Sequence, residues 1–146
     1  MNVVATSIAP GADTDGDGIP DTWESLKVDN PTVMNATSDG DRDGEPDIEE
    51  YAADTNPSDP TDRLQITAFV PPRQLVVAGP FVTDLTWTSR PTVKCTIEIS
   101  PDLVVAFTSA LTNIAPGSGT ATLKSFNDVS ALKRFHRVRA KLPLAP

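Results

Sequence analysis

The sequence predicts a mainly β protein in two parts: an N-terminal region of two acidic loops with short helices, and a C-terminal antiparallel β-sandwich of about seven strands. Three observations support this fold class. A twelve-residue acidic pattern occurs twice before residue 51. After residue 62, apolar residues recur at every second position in short runs separated by proline and glycine, as in half-buried strands. Residues 1–62 carry a net charge of −14 and residues 63–146 carry +6, which indicates two regions with different roles.

The domain limits follow from these changes in composition. The N-terminal residues Val3, Val4 and Ile8 give strand character to a segment that has no adjacent partner. The boundary between the two main regions falls in DTNPSDPTD, residues 54–62, because a helix cannot continue through its two prolines. The predicted divisions are an N-terminal extended segment (1–12), a tandem-loop region (13–62) and a β-sandwich (63–146).

The two acidic loops share one arrangement of oxygen-bearing residues. They read DTDGDGIPDTWE from residue 13 and DGDRDGEPDIEE from residue 39, with aspartate at positions 1, 3, 5 and 9, glycine at 6 and glutamate at 12. This spacing supplies Ca²⁺ with six to eight oxygens at about 2.3–2.6 Å, one of them the backbone carbonyl of position 7. An acidic, solvated surface loop does not produce two full matches by chance. Zinc sites usually include Cys or His, which the loops lack, and magnesium binds fewer protein oxygens. The pattern therefore predicts about two calcium ions.

Short helices are predicted directly after both loops. Residues 22–28 and 48–53 have helical composition, and Asp29-Asn30-Pro31 ends the first helix. Position 8 is Pro20 in one loop and Pro46 in the other. Because proline has no N–H to donate, we do not expect the backbone bridge that joins the loops of paired EF-hands.

The C-terminal region predicts strands of alternating pattern. Val93, Cys95, Ile97 and Ile99 point to one face of their run, so the single cysteine is expected to be a buried, small apolar side chain without a disulfide partner. About seven short strands with regular turn signals favour a sandwich of immunoglobulin or fibronectin type III kind. The candidate strands are 64–70, 74–78, 81–88, 93–99, 103–108, 119–126 and 134–142.

With both regions in view, the chain resembles a family of modules from secreted bacterial proteins, in which thrombospondin type 3-like calcium repeats precede a small β-sandwich. The resemblance spans about residues 13–140 and is carried by DTDGDGIPDTWE, by DGDRDGEPDIEEYAADTNPSDPTDRLQI and by the closing RFHRVRA. Such modules are generally non-catalytic stalks, spacers or attachment elements. The resemblance implies two sets of calcium ligands: Asp13, Asp15, Asp17, Ile19, Asp21 and Glu24 for the first ion, and Asp39, Asp41, Asp43, Glu45, Asp47 and Glu50 for the second.

Three positions depart from the pattern of that family. Arg42 replaces a usual glycine, and its positive charge is expected to weaken the second site. Asp54 stands where glycine is common, and His136 stands where tyrosine is usual.

No catalytic site is predicted. His136 is the only histidine and lies in a candidate strand among arginines, so a packed or surface role is favoured over a catalytic one. The sequence contains no nucleophile-elbow, phosphate-loop or dinucleotide-binding motif. Trp23 and Trp87 are expected to pack in cores rather than to stack on sugars. We therefore expect a protein that is not an enzyme.

The same features define the expected partners and location. Loops of this kind suit the millimolar calcium outside cells, so an extracellular or cell-surface location is expected. The opening residues lack the pattern of a signal peptide, and we expect any such peptide to be missing from this chain. No apolar segment is long enough to span a membrane, and the dispersed basic residues do not indicate nucleic acid. Asn35-Ala36-Thr37 is a formal glycosylation sequon.

Three functional hypotheses follow. The first is a calcium-stabilised structural subunit of a fibre or surface appendage, which associates head to tail through its opposite charges and adds its N-terminal strand to the next sandwich. The second is a non-catalytic C-terminal module of a larger secreted enzyme or adhesin, acting as a spacer or binding a glycan or cell surface. The third is a calcium-dependent binder of dockerin type, although dockerins lack a following sandwich of this length.

Overall fold

The structure, a computed structural model, describes residues 11–28, 34–102, 104–128 and 134–141. The chain divides between Arg63 and Leu64 into two compact units. We call the described residues up to Arg63 the loop unit and Leu64–Lys141 the sheet unit. The described chain is mainly β, with two short helices and six strands in two antiparallel sheets. The predicted N-terminal strand and the predicted helix end at residues 29–31 lie outside the described residues.

The loop unit contains both helices, each of seven residues, α1 (Asp21–Lys27) and α2 (Asp47–Ala53). Pro20 and Pro46 occupy the N-cap positions in extended conformation, so each helix begins at position 9 of its twelve-residue loop. Acidic side chains fill the first turn of both helices, where they face the positive end of the helix dipole. α2 ends at Asp54 in the left-handed conformation, with φ of 55°, which explains why glycine suits this position.

A small apolar cluster joins the two loop-helix segments of the loop unit. Ile19, Trp23 and Met34 are buried in it, and Ile48 and Tyr51 of α2 pack against them. The Trp23 and Tyr51 rings meet edge to face with centroids 5.3 Å apart. Trp23 is therefore a core residue, as the sequence predicted.

The sheet unit consists of two three-stranded antiparallel sheets. The first has the strand order β1-β2-β5 and the second β4-β3-β6. β2 and β5 pair over eight consecutive residues without a register shift, whereas β1 carries two shifts. The strands are β1 (Ile66–Gln74), β2 (Phe81–Thr88), β3 (Cys95–Ser100), β4 (Thr108–Ile114), β5 (Ala121–Asp128) and β6 (Phe135–Ala140).

Two strand predictions need correction. The run predicted at 74–78 is not a separate strand, because β1 continues through Pro71 and Pro72 to Gln74 and residues 75–78 form a turn. The prolines are tolerated because β1 is an edge strand and its register shifts between Val70 and Arg73. The run predicted at 103–108 is mostly loop, and β4 begins only at its last residue. The described residues thus hold six strands instead of about seven.

Both sheets contribute to one buried apolar cluster. Leu85, Trp87 and Phe126 come from the first sheet, and Cys95 and Ile97 from the second. Cys95 is only 3% exposed, as predicted, and burial raises the pKa of its thiol. No helix in the described part of the chain is long and apolar enough to cross a lipid bilayer.

Candidate metal centre

The first acidic loop folds around three of its carboxylates. Asp13, Asp15 and Asp17 each offer an oxygen, and these oxygens lie within 4.8 Å of one another. The backbone wraps the same groups, since the N–H groups of Gly16 and Gly18 donate to Asp13 at 2.8 and 3.0 Å. Both glycines have positive φ, 75° and 95°, a conformation that glycine adopts without strain. The result is a short loop with three carboxylates converging on one point.

The second loop repeats this geometry. Oxygens of Asp39, Asp41 and Asp43 again lie within 4.8 Å of one another. The N–H of Gly44 donates to Asp39 at 3.0 Å, and that of Glu45 donates to Asp43 at 2.8 Å.

The two loops differ at their fourth position. Arg42 has φ of 64° where the first loop places Gly16 with φ of 75°. A left-handed conformation is unfavourable for arginine, so the second loop carries backbone strain that the first avoids.

The aspartates at position 9 lie outside these two carboxylate clusters and brace the start of each loop. Asp21 accepts hydrogen bonds from the backbone and the hydroxyl of Thr14, at 2.8 and 2.6 Å, and these bonds lower its pKa. Asp47 likewise accepts from the N–H of Gly40 at 3.0 Å and from the hydroxyl of Ser38. Each therefore holds the second residue of its own loop.

The glutamates at position 12 are the most unusual groups in the loop unit, because both are 0% exposed. Neither oxygen of Glu24 has a hydrogen-bond partner among the described residues, and Oε2 of Glu50 has none either. Burial, reinforced by the charges of Asp17 and Asp15, raises the pKa of Glu24 to about 7. Burial and the charge of Asp41 raise the pKa of Glu50 to about 8.

Three aspartate oxygens of the loops are also buried without a hydrogen-bond partner in the described structure, Oδ2 of Asp17, of Asp41 and of Asp43. Burial is also the main reason why the pKa values of Asp17 and Asp41 are raised. Hard carboxylate oxygens gathered in this way, with no nitrogen or sulfur among them, fit Ca²⁺ by their chemistry.

The two predicted carbonyl ligands, Ile19 and Glu45, lie at position 7 of their loops. Ile19 is fully buried in the apolar cluster of the loop unit, and its N–H donates to Asp17 at 2.7 Å. Glu45 is half-buried. Ligation by their carbonyl groups remains a prediction.

The segment after α2 adds contacts to the second loop that the twelve-residue pattern does not reveal. The hydroxyl of Thr55 donates to Oε1 of Glu50 at 3.2 Å. Arg63 donates to the carbonyl of Asp43 at 3.5 Å. A Cβ on Gly40 would lie 2.7 Å from the carbonyl oxygen of Pro57, so the segment packs closely on this loop. The residues predicted to be a boundary therefore also support the second loop.

The sheet unit holds one buried charged cluster of its own. Asp128 is 2% exposed, and its carboxylate lies 3.2 Å from Nε2 of His136 and 3.4 Å from Arg134. The His136 ring packs against Phe126 and Phe69, with centroids 5.8 and 5.4 Å apart. These contacts give the lone histidine a packing role and connect β5 with β6.

Comparison of the chain with known protein families, with curated proteins and with solved structures finds no match. The buried carboxylates without partners in the two loops are therefore the observation from which a function is inferred.

Proposed function

We propose that the loop unit binds two calcium ions, one in each acidic loop, and that calcium stabilises the fold of this unit. The observation that supports the proposal is the pair of fully buried glutamates, Glu24 and Glu50. Three of their four carboxylate oxygens have no hydrogen-bond partner among the described residues. Burying an anion without a partner is costly, and the natural result is protonation or ion pairing. A divalent cation between each glutamate and the neighbouring aspartates would remove this cost.

The geometry supports different roles within each predicted ligand set. The aspartates at positions 1, 3 and 5 and the glutamate at position 12 would hold the ion directly, with the carbonyl of position 7. Asp21 and Asp47 already accept two hydrogen bonds each from their own loops. In related calcium loops position 9 often acts through water, and here these two aspartates would orient the loop.

The wider role that fits best is that of a non-catalytic, extracellular structural protein, a subunit of a fibre or surface appendage. Its supports are the two proposed calcium sites and the charge of −14 on residues 1–62 against +6 on residues 63–146. The two sheets of the sheet unit would form an immunoglobulin- or fibronectin III-like sandwich that accepts the N-terminal strand of the next copy. The alternative is a spacer, attachment or glycan-binding module of a larger secreted protein. Electron microscopy of the chain with calcium separates the two, because only the subunit forms filaments.

Calorimetric titration tests the calcium sites. The full chain should bind two equivalents of calcium. Glu24→Gln and Glu50→Gln should each lose one equivalent, because the amide supplies neither the charge nor the second strong oxygen ligand. Glu49→Gln is the matched control, since Glu49 is the exposed neighbour of Glu50, and it should retain both. A chain that binds no calcium, or a control that loses as much as Glu50→Gln, would refute the proposal.

The unfolding of the same variants without metal gives an independent check. Replacing a buried, unpartnered carboxylate by a neutral amide should stabilise the metal-free loop unit above pH 7 while it weakens calcium binding. If the variants are less stable both without metal and with calcium, the glutamates contribute to packing alone.

A further inference from the structure

Strand pairing brings exposed apolar residues of the sheet unit to one end. Gln74 pairs with Phe81 across the β1–β2 turn, and Phe81 pairs with Asp128 of β5. Asp128 contacts His136 of β6, which pairs with Ile99 beside the β3–β4 loop. The β1–β2 turn, the β3–β4 loop and the start of β6 therefore lie together. We call their exposed apolar residues the apolar tip: Leu75, Val76, Val77, Val104, Val105 and Phe135.

The apolar tip projects strongly into solvent. Val77 is 100% exposed and Val104 is 93% exposed, and the tip supplies six of the eleven large apolar residues that are exposed in the described chain. The chain enters the sheet unit at Leu64 and reaches Lys141 at the opposite end, where β1 begins and β6 ends. The tip is thus the end of the sheet unit opposite Leu64 and Lys141. Such a concentration of apolar surface usually marks an interaction site.

The loops of the tip satisfy polar backbone groups from within. Asp102 accepts from the N–H groups of Val104 and Val105 at 2.9 and 2.7 Å, and the hydroxyl of Ser100 donates to the carbonyl of Val105 at 2.8 Å. This arrangement leaves both valine side chains outside.

The β1–β2 turn is closed in the same way. The side-chain amide of Gln74 donates to the carbonyl of Gly79 at 2.9 Å, and the N–H of Gly79 donates to Val76 at 3.0 Å. Internal pairing of this kind is what backbone needs in order to enter an apolar phase.

Four charged groups of this end form ion pairs, whereas the exposed Asp102 of the β3–β4 loop accepts hydrogen bonds from the N–H groups of Val104 and Val105. Arg73 contacts Asp84 at 2.6 Å, and Arg134 contacts the buried Asp128 at 3.4 Å. The β1–β2 turn itself, residues 75–80, contains no charged residue. The described tip is therefore mainly aliphatic, with one carboxylate, that of Asp102, in its β3–β4 loop and one phenylalanine at the start of β6.

We propose that the apolar tip inserts into the surface of a lipid bilayer and attaches the protein to it. Dominant contacts of protein interfaces are enriched in Trp, Tyr and Arg, while Leu and Val are under-represented. The tip has the opposite composition, and its most exposed residues are single valines on short loops. Such points enter a fluid hydrocarbon layer without needing a matching pocket, and binding then scales with the apolar area buried. Because residues 75–80 and 101–107 contain no Lys or Arg, the tip does not depend on anionic lipid, and zwitterionic lipid is sufficient.

Flotation with phosphatidylcholine vesicles tests this proposal on the full chain in calcium at physiological salt. The unmodified chain should float with the vesicles. Val77→Asp and Val104→Asp should each weaken binding at least about tenfold, because a carboxylate resists transfer into the bilayer. Leu123→Asp is the matched control, since Leu123 is 65% exposed in the middle of β5, and it should bind as the unmodified chain does.

Depth can be measured independently with Val77→Trp. Brominated lipid should quench the introduced tryptophan, whereas Leu123→Trp should not be quenched; Trp23 and Trp87 are buried and contribute a constant background. Failure of the full chain to float, or equal loss with Leu123→Asp, would overturn the proposal. The proposal would also be overturned if light scattering without vesicles showed a dimer and Val77→Asp dissociated it, because a second copy would then cover the tip.

Discussion

The loop unit and the sheet unit reach a folded state by different means. The sheet unit gathers seven buried apolar residues, six of them from the strands of its two sheets, into one cluster. The loop unit has three buried apolar residues in its cluster and two helices of seven residues, which are too short to be stable alone. It also buries Glu24 and Glu50 completely. Apolar burial therefore stabilises the sheet unit, whereas the loop unit also has buried charge to neutralise, which in our proposal calcium does.

Removing calcium should have the largest effect, because it should lower the stability of the loop unit and leave that of the sheet unit unchanged. A site with a hundredfold excess of calcium over its dissociation constant gains about 2.7 kcal/mol, so two sites gain about 5 kcal/mol, confined to the loop unit. Thermal unfolding with calcium and with chelator should show one transition that moves and one that does not. Amide hydrogen exchange assigns them, and protection should fall in α1 and α2 but not in β2 or β5. Equal loss of protection in both units, or none in either, would contradict the assignment.

The stability of the loop unit should depend on pH with opposite sign in the absence and in the presence of calcium. Without metal, Glu24 and Glu50 have pKa values of about 7 and about 8 against 4.5 for the ordinary side chain. The folded state then binds more protons than the unfolded state between pH 4.5 and 8, so stability is highest at low pH and falls as pH rises through that window. With calcium the carboxylates are ionised in the folded state, and stability should fall as pH drops instead. Chemical unfolding at pH 5.5 and 8 measures both slopes; parallel slopes would contradict the prediction.

The acidic loops were predictable from sequence because their information is local. Twelve residues fix which side chains converge, and the structure gathers Asp13, Asp15 and Asp17 as the spacing indicates. The short helices, the buried Trp23 and the alternation in β2 were also predicted, since each depends on periodicity within one segment.

The remaining features depend on contacts between distant segments. No local pattern shows that Thr55 reaches Glu50 or that Arg63 reaches the carbonyl of Asp43. β1 was cut short in the prediction because Pro71 and Pro72 are usually turn residues, and only its position at a sheet edge makes them acceptable. The burial of both glutamates likewise follows from the packing of two loop-helix segments, which spacing does not define.

Within the sheet unit, Cys95→Ser should cost roughly 1–3 kcal/mol of unfolding free energy and leave calcium binding unchanged. The serine hydroxyl would be a polar group buried in the apolar cluster beside Trp87 and Ile97, and its desolvation costs free energy. Cys95→Ala is the control, because it removes the same sulfur without adding a polar group and should cost less than serine. Unmodified Cys95 should react with a thiol reagent only on unfolding; fast labelling of the folded chain would contradict its burial.

The smallest expected effect compares the two loops with each other. Glu50 has one hydrogen-bond partner, Thr55, whereas Glu24 has none among the described residues. Thr55 fixes one oxygen of Glu50 and so prepares the second loop for the ion, which opposes the strain and charge of Arg42. Thr55→Val keeps the shape and removes the hydrogen bond, and it should weaken calcium binding at the second site by about threefold to tenfold, the worth of one net hydrogen bond. Thr61→Val is the matched control, because the exposed Thr61 hydroxyl bonds to Asp59 and, among the described residues, to no predicted calcium ligand, and it should leave both affinities unchanged. Titration in the background of Glu24→Gln isolates the second site. An unchanged affinity there would mean that Thr55 serves the packing of its own segment, and that the second loop has no structural advantage over the first.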